Sequence, residues 1–204
     1  MIFEEISWTA NEAWRHLSHE HDEIERLCNG SDETEESVWM ARRWQWPPAW
    51  RVDLCVDGSF DPITSHMGYG GLMRDSQGDW ICGFHGFQAG GSALLSEARA
   101  LKLGLQIAWD RGYRDVICNV DCRDLLRVLD DPETRIFFPV LREIHELRMR
   151  SWNLTLSAIN RDCNQPADSL AKKGASSLSM AICVLEAPPS AIEILILRDR
   201  LAIP

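Results

Sequence analysis

Arg51-Val52-Asp53-Leu54-Cys55-Val56-Asp57-Gly58-Ser59 is the stretch on which the fold turns. Val52, Leu54 and Val56 alternate with Asp53, Cys55 and Asp57, a period of two that reads as a half-buried strand ending at Gly58. Asp61-Pro62 marks the next turn, and residues 68–75 and 79–87 form a hairpin around Asp75-Ser76-Gln77-Gly78. Gly90-Gly91 separates that hairpin from a helix over about 93–111. In it Leu94, Ala98, Leu101, Leu105 and Ala108 recur at helical spacing, and Gly112 acts as a stop. Val116–Val120 is a short apolar strand running into Asp121. Helices follow at about 123–130, closed by Asp131-Pro132, and at about 138–150, with Pro139 in the first turn and Val140, Leu141, Ile144 and Leu147 inward. Leu154, Leu156 and Ala158 alternate on a last strand, and Pro166 opens a helix to about 177. The order β-β-β-α-β-α-α-β-α specifies an α/β domain with a mixed sheet.

Upstream, residues 1–28 read as a helix with Ile6, Ala10, Ala13, Leu17, Ile24 and Leu27 on one face, and 29–37 as a polar acidic linker. Trp44, Trp46 and Trp50 surround Pro47-Pro48, whose rings forbid a helix and favour an extended entry. The expected division is an N-terminal acidic helix and linker (1–47), the α/β domain (48–178) and a C-terminal extension (179–204) carrying Pro188-Pro189 and a short final helix.

Of the 204 residues 45% are hydrophobic and 25% charged, as in ordinary globular proteins. The net charge of −10 divides into −7 over residues 1–50 and −3 over the remainder, so bulk charge announces no basic nucleic-acid surface. The longest apolar runs, near Met180–Leu185 and Ile192–Leu197, are broken by Glu186, Glu193 and Arg198 and are too short to span a bilayer. Acidic Glu4 and Glu5 at the start do not make a secretory signal. The expectation is an intracellular protein, nuclear or cytoplasmic, without membrane contact. Its seven cysteines form no C-x-x-C pair and read as reduced thiols, with Cys55, Cys82 and Cys118 inside apolar strands. His16, His19 and His21 read as a chance exposed group.

The chemistry rests on acidic residues at element edges. Asp57 closes the first strand and Asp121 the fourth, while Glu97 and Asp168 are placed in the first turns of their helices. Singly, each has a bland explanation, since first-turn carboxylates are favoured by the helix macrodipole and Asp-Gly by turn chemistry. Together they say more. Adjacent parallel strands would bring Asp57 and Asp121 out at one end of the sheet, within reach of both helix entries. Carboxylates so gathered repel unless a cation neutralises them. Oxygen-only ligands favour Mg2+ or Mn2+ over Zn2+. Two such ions about 4 Å apart suit phosphodiester hydrolysis.

Val56-Asp57-Gly58-Ser59, Ser96-Glu97-Ala98-Arg99-Ala100-Leu101, Val120-Asp121-Cys122 and Ala167-Asp168-Ser169-Leu170-Ala171-Lys172 resemble, in order and spacing, the four signature segments of the ribonuclease H family. The resemblance is closest to the reverse-transcriptase-associated ribonuclease H-like domains abundant in plants, many tied to non-LTR retroelements. Arg161-Asp162-Cys163-Asn164 is similar to that group's R-E-x-N segment, and Trp46-Pro47-Pro48 and Pro188-Pro189 also match it. The match covers about residues 46–200. It implies a five-stranded mixed sheet, the first three strands antiparallel, flanked by helices. It further implies two Mg2+ ions, or Mn2+, held by Asp57, Glu97, Asp121 and Asp168, all four catalytic, and an RNA–DNA hybrid as the nucleic-acid partner, cut in its RNA strand.

Three features depart from the well-studied members. Asn160–Gln165 is short and lacks the family's mobile His, which implies slower turnover. Ala93 and Leu94 stand where other members carry amides that read the hybrid's minor groove. A basic protrusion is absent, since Glu143 and Glu146 interrupt Arg142, Arg148 and Arg150. These features motivate an alternative, a non-catalytic module that binds nucleic acid or protein, and a third reading as a DNA-cutting relative. Lys172, Lys173, Arg74, Arg99 and Lys102 read as solvated cations, and Trp80 and Trp109 as core. Gly68-Tyr69-Gly70-Gly71 reads as serving a strand bend.

Overall fold

The computed structural model describes residues 44–131 and 138–201. The helix and linker expected upstream of Trp44, with their histidines, lie outside these residues. The element order is β1 (Val52–Asp61), β2 (His66–Arg74), β3 (Trp80–Ala89), α1 (Ala93–Asp110), β4 (Asp115–Val120), α2 (Arg123–Asp130), α3 (Pro139–Arg148) and β5 (Asn153–Ala158), then a 3-10 turn (Arg161–Cys163), α4 (Gln165–Ser177), β6 (Cys183–Leu185) and α5 (Ser190–Leu201). The mixed sheet has the order β5-β4-β1-β2-β3-β6. Strands β1, β2 and β3 are antiparallel, as expected, while β4 is parallel to β1 and β5 to β4.

Among the described residues the sheet has six strands rather than five. Cys183–Leu185 pairs antiparallel with Gly83–His85, so the chain beyond residue 178 covers the outer edge of β3. Three residues are too few for a period-two pattern to register, and the pairing partner lies a hundred residues away. The short final helix is present as α5, with Ile192 and Ile196 buried.

Strand β1 is not half-buried. Val52 to Asp57 are all buried, because β1 is a central strand with helices on both faces of the sheet. Leu54 and Val56 pack in the larger core with Ala98, Leu101 and Leu105 of α1 and with Leu125, Leu141 and Ile144 of α2 and α3. Cys55 belongs to a second core on the opposite face, with Trp44, Leu72, Ala167, Leu170, Ile192 and Ile196. The Cys residues expected in strands, Cys55, Cys82 and Cys118, are buried free thiols.

The glycines of β2 do more than bend the strand. A Cβ on Gly68 would lie 2.0 Å from the Ala171 carbonyl oxygen, and one on Gly70 2.5 Å from the Ala171 nitrogen. Their bareness lets α4 rest directly on the sheet, which fixes where Asp168 stands. Gly70→Ala should therefore destabilise the domain by about 1–3 kcal/mol through overpacking. A lowered midpoint in thermal melts of the metal-free protein checks this, and an unchanged midpoint would contradict it.

Candidate metal centre

Register brings the first two carboxylates together. Val56 pairs with Val120 in the parallel β1–β4 ladder, so Asp57 and Asp121, the residues that follow, emerge side by side. Gly58 allows the third to join them, since a Cβ there would lie 2.3 Å from the Glu97 nitrogen. Helix α1 can thus descend onto β1. Ser92 caps that helix, its Oγ accepting from the Leu95 nitrogen at 3.2 Å. With Ser92 as cap, Glu97 falls beyond the first turn, contrary to the expected placement. The macrodipole explanation for an acid at this position weakens accordingly.

Ligand oxygens of Asp57, Glu97 and Asp121 lie within 4.8 Å of one another. One oxygen of each (Asp57 Oδ2, Glu97 Oε2 and Asp121 Oδ2) is buried with no hydrogen-bond partner. Buried carboxylate oxygens without donors are costly, and an oxygen-only set of this kind fits a hard divalent cation. Asp168 stands apart from this trio. Lys172 Nζ contacts its Oδ2 at 2.6 Å, and Arg161 Nη2 lies 3.9 Å from its Oδ1. Its charge still reaches the cluster, raising the pKa of both Asp57 and Asp121.

Burial, then the charges of Asp121 and Asp168, push the Asp57 carboxyl up to about 8. Burial, then Asp57 and Asp121, push Glu97 well above the usual carboxylate range, against a hydrogen bond from the Gly58 backbone. Asp121 is raised by burial but held back by hydrogen bonds from Asp57 and Asn164 and by the Arg161 charge. In the metal-free protein Asp57 therefore keeps a proton that the unfolded chain releases near its ordinary value of 3.8. The native state binds more protons across that window, so stability falls as pH rises from about 4 toward about 8. Melts in chelator should show a lower midpoint at pH 8 than at pH 5, and saturating Mg2+ should reverse the trend. A midpoint that rises through that range without metal would refute this account.

Asn164 is a positioning residue absent from the expected catalytic set. Fully buried, it donates from Nδ2 to the Val56 carbonyl at 2.9 Å, and its amide helps hold the Asp121 carboxyl down. It thereby joins β1 to the turn before α4. Its place in the Arg161–Asn164 segment was the only signal of it in the sequence. Leu94, at the minor-groove position of the resemblance, packs against the larger core, and Ala93 is exposed. Of the supposedly solvated cations, Lys102 pairs with Glu143 and Lys172 with Asp168, but Arg74 is wholly buried. Trp80 packs beside the second core. Trp109 is not a core residue: it is half-buried, with the guanidinium of Arg114 3.7 Å from its ring centre.

A sheet of this order with three acids at the β1–β4 end and on α1 is a ribonuclease H-like domain. The fold is shared with RNase H1 of the archaeon Halobacterium salinarum, at TM-score 0.55 and 20% identity, covering 62% of this chain and 98% of that one. It is shared equally with LC11-RNase H1, solved in complex with an RNA/DNA hybrid, at TM-score 0.55 and 19% identity over 63% of this chain and 99% of that one. Residues 55–174 match the reverse transcriptase-like family, and the chain belongs to that family. An Arabidopsis thaliana protein named "putative ribonuclease H protein" is 27% identical over 162 residues, 78% of this chain. The chain spans about a quarter of that relative, the match covering 26% of its length. Among the described residues no helix is long and apolar enough to cross a membrane.

Proposed function

We propose that this domain is a divalent-metal-dependent endonuclease that hydrolyses the RNA strand of RNA–DNA hybrids. The observation carrying the reading is the trio of buried, unpartnered oxygens on Asp57, Glu97 and Asp121. These side chains would hold Mg2+, two ions in the full arrangement, with Mn2+ an acceptable substitute; Asp168 would complete the set once drawn from Lys172. The bound metal would supply an activated water and charge stabilisation on the scissile phosphate. The protein's own part is to hold the carboxylates at fixed spacing. The β1–β4 register sets Asp57 beside Asp121, and Asn164 ties the end of β1 to the turn before α4. Arg161 offers the carboxylates a compensating positive charge.

LC11-RNase H1, with the same fold, was captured on an RNA/DNA hybrid, which supports the substrate class. The reverse transcriptase-like family supports a retroelement origin. Reduced thiols and such a substrate suit an intracellular setting. The lack of side-chain amides at Ala93 and Leu94 is the specific observation behind the second reading, a module that binds without cutting. Purified protein should cut the RNA of a labelled hybrid in Mg2+ or Mn2+, and leave the matching double-stranded DNA intact. A folded protein that binds the hybrid without cutting it would establish the second reading instead.

A further inference from the structure

The sheet face that carries α4 and α5 is unevenly covered. Helix α4 packs on β1, β2 and β3. On β5 the residues of that face, Asn153 and Thr155, are exposed. Further along that strand, at Ser157 and Ala158, lies a cavity of about 480 Å3, in the size range of small-molecule sites. Its lining includes Trp44 and Trp46, Asn119 of β4, Ser157 of β5, Asn160 and Arg123, together with the Asp53 carboxylate, which is already paired with Arg74.

This lining has a definite chemistry. Trp44 is locked in place, its Nε1 donating to Asp53 Oδ2 at 2.7 Å and its ring covered by the Arg74 guanidinium. Trp46 is free on one side: its ring centre is 6.0 Å from that of Trp44, and the residue is 48% exposed. Asn119, Ser157 and Asn160 add amide and hydroxyl groups. Arg123 is exposed and has no ion-pair partner among the described residues. A flat apolar surface, hydrogen-bonding groups and a lone cation match the base, base edge and phosphate of a nucleotide.

Its position links it to the metal centre. Asn119 and Arg123 each stand two residues from Asp121, and Asn160 begins the turn that ends in Asn164, which bonds the Val56 carbonyl next to Asp57. Charge alone gives this domain a weak hold on a polyanion, since residues 51–204 carry net −3. Stacking would supply what the missing cations do not.

We propose that this cavity binds an unpaired nucleotide continuing from the hybrid held at the carboxylates, its base on Trp46 and its phosphate at Arg123. The inference rests on the nucleic-acid reading above but not on cleavage. Its test is fluorescence anisotropy in chelator with three labelled hybrids: blunt, with a 5′ unpaired RNA extension, and with a 3′ one. One extension should tighten binding by the wild-type protein about tenfold over blunt, in line with stacking by a single base. Trp46→Ala should lose that gain and keep its affinity for the blunt hybrid. Arg123→Ala, at an exposed position, should lower the salt dependence of extended-hybrid binding by about one counterion. Equal affinity for all three hybrids, or a gain that survives both substitutions, would overturn the proposal. Cleavage of blunt hybrid without any extension effect would remove this site and leave the nuclease reading standing. Absence of binding to every hybrid would remove both.

Discussion

Asp121→Asn should lower hybrid cleavage by at least about 100-fold, since even residues that merely support metal ligands cost 10–100-fold when changed. The substitution keeps the size of the side chain and removes a charge that raises the pKa of both Asp57 and Glu97. Without metal, the variant should melt no lower than the parent, because like-charge repulsion is relieved. With Mg2+ the parent should gain stability as ligand binds the native state alone, and the variant should not. Asp168→Asn should be milder, because Asp168 stands outside the three-residue group and is already matched with Lys172. Single-turnover cleavage and melts with and without metal read all of this. Asp121→Asn protein that cuts at the parental rate would end the metal-nuclease reading.

The second large effect is on stability. Arg74 is wholly buried between two carboxylates, with Nη2 3.2 Å from Asp53 Oδ2 and Nη1 2.7 Å from Asp199 Oδ2. Asp53 is in turn held by Trp44 Nε1 and Asn119 Nδ2. One guanidinium thus ties β1, β2, β4, the entry segment and α5 together. Arg74→Met would leave the buried Asp53 and the part-buried Asp199 carboxylates without their cation, a change that costs about 3–5 kcal/mol. For a domain of this size the melting midpoint should drop by about 10 °C. The double variant Asp53→Asn, Arg74→Met should recover part of the loss, because the stranded charge at Asp53 is gone while that at Asp199 stays. An Arg74→Met protein that melts like the parent would show the network to be energetically idle.

Much of the geometry of the carboxylate cluster was legible in the sequence because it is local. Asp57 and Asp121 end apolar strands, and Glu97 and Asp168 sit close to helix starts with recognisable caps or prolines. The structure gathers three of the four, and Asp168 differs because its nearest partners are its own helix neighbour Lys172 and the turn residue Arg161. The solvated reading of Arg74 and the half-buried reading of β1 fail for one reason. Alternation along β1 says that two faces differ, not that both are covered. A charged residue on the second face looks solvated until the helices that bury it are placed. Gly68 and Gly70 posed the same difficulty, since a contact with Ala171 a hundred residues away leaves no trace in the neighbouring letters.

By itself, then, the order of residues determined the succession of strands and helices, the α/β class and the four acidic positions. Those follow from periodicities of two and 3.6 and from capping chemistry within a few residues. Tertiary structure alone decided the sixth strand, the burial of Arg74 between Asp53 and Asp199, the separation of Asp168 from the other three acids and the Trp46 cavity. Each depends on which distant surfaces meet, and in a close-packed interior that is settled by shape and charge pairing over the whole domain.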